Sequence, residues 1–97
     1  MKMTDSPSEE TARAPVDIYG VLAMTIEQFS ALAWQKMGLQ PDFVTGQIEK
    51  DLAQCKTAID ATAALTSLLE PQLDDNDRRQ MQNLVRDLRI NYVEHSH

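Results

Sequence analysis

The chain has 97 residues, a net charge of −6 and a single cysteine, which is material for one small domain. One thiol excludes an internal disulfide framework and any multi-thiolate zinc or iron–sulfur site. The acidic balance opposes binding to a nucleic-acid backbone, which needs a basic face.

The apolar residues are lopsided: ten Ala and ten Leu stand against five Val and five Ile. That mixture favours helices over a sheet. Leu, Ile, Val and Phe together number 22 of 97, close to the level at which chains fail to bury a core. No stretch reaches the roughly 18 apolar residues of a membrane span. The N-terminal residues carry acids and a proline where a signal peptide needs an apolar run, so a cytoplasmic protein is expected. Pro15, Pro41 and Pro71 punctuate the chain, because proline inside a helix removes a hydrogen bond and clashes with the preceding turn. Residues 1–15 have little to bury and read as a disordered polar arm.

The first helix is predicted over about residues 17–37. Asp17 is its candidate cap, although Gly20 weakens the first turn and is an alternative start. Ile18, Leu22, Ile26, Phe29, Ala33 and Met37 recur at three- and four-residue steps and mark one face. Gly38 suits the left-handed position after the last turn, with Leu39 as its hydrophobic companion and Pro41 as the stop.

A second helix is expected over about 45–69, with Thr45 as the cap. Ile48, Leu52, Cys55, Ile59, Thr62, Thr66 and Leu69 form a heptad-like seam, and Ala58, Ala61, Leu65 and Leu68 form a second apolar row. A helix with two apolar rows needs two neighbours, so this is the central element. The third helix, about 75–93, carries the clearest start: Asp74 as cap, with Asp75 and Asp77 where the dipole favours negative charge. Its stripe is Met81, Leu84, Val85, Leu88 and Tyr92, and residues 94–97 read as a frayed tail. The fold class is all-α, a three-helix hairpin or bundle over 16–93 with a disordered N-terminal arm.

Beyond this pattern the chain resembles a known family. Its residues are Met37-Gly38, Pro41 and Thr45-Gly46, followed by Asp51-Leu52, Ile59-Asp60, Leu65, Leu73, Leu88-Arg89 and Tyr92-Val93. In this order and spacing, across roughly Thr25 to Val93, the chain resembles the small bacterial family called domain of unknown function 1844. The departure lies in the second connection, where the family carries a Lys-Thr…Gly-Asn-Leu run and this chain reads Ser67 through Leu73. The resemblance implies an all-helical cytoplasmic protein and supplies no activity.

The inventory for chemistry is sparse. Cys55 lies on the apolar seam and reads as a small buried hydrophobe. The only histidines, His95 and His97, fall in the terminal tail, so the folded part offers no histidine base or ligand. Glu70, Asp74, Asp75 and Asp77 form the densest acidic cluster, but it lacks the ligand spacing of a calcium loop, and capping explains most of it. Asp60 can pair with Lys56 four residues back, or with Arg86 or Arg89 on the third helix. Asp60, Asp74 and Arg89 are accordingly candidate structural polar residues. Catalytic, cofactor and metal residues are expected to be absent.

Two function classes follow. The first is a non-enzymatic interaction or adaptor module that self-associates, with a dimer favoured and an unidentified protein partner as a further option. No nucleic acid or membrane is involved. Apolar residues around much of the first helix (Val21, Leu22, Met24, Ile26, Phe29, Leu32, Trp34) exceed what one hairpin partner can cover. Leu22, Ile26, Phe29, Trp34, Leu52, Ile59, Leu65 and Leu68 are the candidate interface. The second is a small-molecule or metal-dependent enzyme with Asp51, Asp60 or the Glu70–Asp77 cluster converging in a subunit groove.

Overall fold

The computed structural model describes residues 14–96. Three helices, α1 (Ile18–Lys36), α2 (Leu52–Leu69) and α3 (Asp75–His95), follow in order, with a short 3₁₀ turn, Glu70–Gln72, between the last two. No strand occurs among the described residues. The arm expected over residues 1–15 lies outside the described residues, apart from Ala14 and Pro15, which are exposed.

α1 begins as its cap predicts, with the Asp17 carboxylate accepting from the Tyr19 amide at 3.1 Å. It ends in a Schellman arrangement. The Leu39 amide donates to the Trp34 carbonyl at 3.2 Å and the Gly38 amide to Gln35 at 3.0 Å. This requires Gly38 at φ +89°, where a residue with a Cβ would be strained.

The start of α2 differs from the sequence reading. Helix formation begins at Leu52, not near Thr45, and the cap is Asp51, whose carboxylate accepts from the Gln54 amide at 3.0 Å. The intervening residues are held in a turn. One Asp42 carboxylate oxygen accepts from Val44 at 2.8 Å and Thr45 at 3.0 Å, and the Gly46 amide reaches the Asp42 carbonyl at 2.7 Å. Gly46 itself has φ +73°, so no helix can run through it. The Thr45 hydroxyl accepts from Gln47 instead of opening a helix.

α3 starts as read, with Asp74 accepting from the Asp77 amide at 2.7 Å. It runs to His95, beyond the expected fraying at Val93. The ring Nδ1 of His95 lies 2.8 Å from the Asn91 carbonyl, and the Ser96 amide bonds back to Val93, so the last turn is closed.

α1 lies antiparallel along one flank of α2. The amide of Asp51 donates to the Lys36 carbonyl at 2.8 Å, and the Cys55 thiol to the Ala33 carbonyl at 3.3 Å. α3 packs on the other flank of α2 and barely touches α1. The core therefore gathers around the central helix: Ala33 and Met37 from α1, Cys55, Ala58 and Ile59 from α2, and Leu88 from α3. Phe29, Trp34, Leu84 and Tyr92 close over it. Alanines at the contact let the helices approach closely. The molecule measures 58 × 36 × 18 Å, with a radius of gyration of 17.1 Å. A compact chain of about 100 residues would have about 13 Å. Helices laid side by side in so thin a layer leave two broad faces without a second layer.

Candidate functional site

The carboxylates that could have converged are spread along one helix. Asp51 caps the start of α2, Asp60 lies mid-helix and Glu70 follows its end. At 1.5 Å per residue, successive members are about 14 Å apart. Each has a partner within the chain. Asp51 holds the Gln54 amide, Asp60 pairs with Lys56 Nζ at 2.9 Å, and Glu70 accepts from the Gln82 amide group at 2.8 Å. The Asp60 carboxylate raises the Lys56 pKa above its usual 10.5, first by hydrogen bonding and then by its charge. Of the pairings open to Asp60, the structure forms the local one with Lys56. Among the described residues, no carboxylate lies within ion-pair distance of Arg89, and Arg86 comes within 4.0 Å only of its own neighbour Asp87.

Three carboxylates of the Glu70–Asp77 cluster, those of Glu70, Asp74 and Asp75, are likewise engaged by the protein. Asp74 caps α3, and Asp75 pairs with Arg78 at 2.8 Å. Arg78 also donates to the Leu73 carbonyl at 2.8 Å and reaches that of Glu70 at 3.4 Å. It ties the connection between α2 and α3 to the first turn of α3. Among the described residues, no group of three acidic, histidine or cysteine side chains is placed to hold a metal ion.

Cys55 is fully buried, and desolvation pushes its thiol pKa above the ordinary 9.0. A thiol with suppressed thiolate is a packing group, not a nucleophile. A groove of about 400 Å³ runs between α2 and α3. Ala63, Thr66, Val85, Arg86 and Arg89 line it, and Glu70 is the one carboxylate at its edge. It holds no histidine, and the arrangement offers no general acid–base pair.

The eight candidate interface residues separate by burial. Ile26 and Ile59 are enclosed within the chain and are corrected to core positions: their faces are already covered by the neighbouring helix. Leu22, Phe29, Trp34, Leu52 and Leu65 are half-buried along helix contacts. Only Leu68, 64% exposed, stands open. The larger exposed apolar surface lies elsewhere. Val16, Ile18, Val21 and Met24 carry it at the start of α1, and Phe43, Val44 and Ile48 in the first connection. The signal for the α1 part was in the sequence: Val21, Met24, Gln28, Ala31 and Gln35 repeat at 3-4 steps on the side away from the Ile26–Ala33–Met37 stripe. The loop residues had no such periodicity.

The class this defines is a small, flat, all-helical protein that binds its carboxylates into caps and local ion pairs. The chain belongs to the family described as Domain of unknown function (DUF1844), whose model matches residues 19–94. That match covers all three helices almost entirely. No curated protein and no solved structure matches the chain. Among the described residues, no helix is long and apolar enough to cross a membrane.

Proposed function

We propose that this protein is a non-enzymatic helical interaction module of the cytoplasm that acts as a homo-oligomer, with a dimer as its basic form. The observation that carries this reading is the exposed apolar surface on a thin layer of helices. Met24 is 69% exposed, Phe43 74% and Val44 78%, in a molecule only 18 Å thick. Exposed large apolar side chains in this number mark an association surface. The buried, protonated Cys55 suits a reducing compartment. Static light scattering of the purified chain at micromolar concentration tests the reading. A mass near twice 10.9 kDa is expected. A monomer that keeps its helicity overturns it.

A further inference from the structure

Resting on that reading, we propose that two copies pair through the outer ridge of α1, antiparallel, with the two-fold axis midway between Met24 and Gln28. At 3.6 residues per turn, Val21, Met24, Gln28, Ala31 and Gln35 fall within about 40° of one line along α1. Ile26, Ala33 and Met37, which face α2, lie on the opposite side. The first four ridge residues are exposed. Their 3-4-3 spacing is that of a helix–helix seam.

Charge permits a second copy as the occupant. The protein carries a net −6, yet between Ile18 and Gln35 the helix holds a single charged residue, Glu27, about 80° off the ridge. This strip is neutral on an otherwise acidic molecule, and an equally acidic second copy can approach there without like-charge repulsion.

The direction follows from the ends of the ridge. Gln35 shares the ridge line but is only 8% exposed, because the first connection folds over it and the Phe43 amide donates to its Oε1 at 3.1 Å. The loop makes a step at the C-terminal end of the seam. In a parallel pair the two steps would meet at the same level and hold the helices apart. In an antiparallel pair each step falls beyond the open ridge, opposite Asp17 and Ile18 of the second copy. The exposed Phe43 and Val44 then meet the exposed Val16 and Ile18. Within the seam this register sets Val21 against Ala31 and Met24 against Gln28, larger against smaller in the first layer and matched in length in the second. A stable dimer buries about 800 Å² per partner. Four ridge side chains cannot supply that, and the antiparallel arrangement adds the loop at both ends. The contact is isologous, so it closes on two copies.

Two measurements on the full chain test this. Met24→Arg is expected to halve the mass by light scattering with unchanged circular dichroism, since the Met24 side chain is exposed in the single chain. The second is a mixture of Val21→Cys and Ala31→Cys chains under mild oxidation. It is expected to give the mixed disulfide in large excess over either like-with-like product. Cys55, buried and protonated, stays silent. If the wild type is dimeric but Met24→Arg is too, this surface is wrong while self-association stands. If Val21→Cys couples chiefly to itself, the pair is parallel and the proposed geometry fails. A monomeric wild type removes both.

Discussion

The guanidinium of Arg78 donates to the carbonyl of Leu73 at 2.8 Å, five residues back along the chain. The same side chain reaches the Glu70 carbonyl and pairs with Asp75, so one residue of the first turn of α3 holds the turn that precedes it. The Leu73 carbonyl follows the end of α2, where backbone acceptors lack a helical partner, while that of Glu70 also accepts from the Leu73 amide at 3.0 Å. Arg78→Lys keeps the charge but loses the planar fork that reaches several acceptors at once. It is expected to lower stability by about 1–2 kcal/mol. Arg79→Lys, for which no such bond exists among the described residues, should stay within about 0.5 kcal/mol. Urea denaturation of the two variants checks the difference.

Thr66 is 3% exposed, and its hydroxyl has no hydrogen-bond partner among the described residues. Thr62, one turn earlier, is equally buried but bonds back to the Ala58 carbonyl at 2.8 Å. Thr66→Val replaces an unsatisfied buried hydroxyl by a methyl of similar shape, and should stabilise the protein by about 1 kcal/mol. Thr62→Val is expected to bring less benefit, or a loss, because it removes a bond that is made. Thermal melts of both variants at one protein concentration measure the contrast.

Asp51, not Thr45, opens α2. Asp51→Ala is therefore expected to cost about 1 kcal/mol, the usual loss for a helix N-cap. Thr45→Ala removes two exposed bonds, one accepted from the Gln47 amide and one donated to the Glu49 carboxylate, and should cost a few tenths of a kcal/mol. If the two losses were equal in chemical denaturation, the assignment of the cap would be wrong.

Asp42 gives the protein an acid-side dependence. The Thr45 amide, then the Val44 amide, and the Lys36 ammonium 4.0 Å away hold its carboxyl below the usual 3.8. The folded state thus binds the proton more weakly than the unfolded chain. The resulting stabilisation is complete above pH 3.8 and is lost as pH falls through the depressed folded value. Asp42→Asn keeps the side-chain oxygen that caps the turn but cannot titrate. Its melting temperature should fall less steeply than that of the wild type below about pH 4. Melting curves over pH 2.5–6 compare the slopes.

Features whose cause is local were legible in the sequence. Asp17 and Asp74 cap because an acidic side chain before an apolar period can reach the free amides two or three residues on. Gly38 ends α1 because only glycine takes the left-handed conformation without strain. The order of three helices, the central position of α2 and the burial of Cys55 follow from period and composition in the same way.

What the tertiary structure alone decided concerns choices between equivalent local signals. Thr45 and Asp51 are both good caps. The Asp42 turn, closed by bonds from Val44, Thr45 and Gly46, consumed the residues that would have formed the earlier first turn. Ile26 and Ile59 lie on apolar faces that periodicity identifies, but periodicity does not say whether the neighbour is another helix of the same chain or a second copy. Packing of α1 against α2 enclosed them. Gln35 shows the converse. It lies on the side of α1 away from the core and is still buried, because a loop from further along the chain crosses it. A helical period reports which side chains share a face, since it depends only on backbone geometry. What covers that face depends on residues distant in the chain, and no local pattern encodes them.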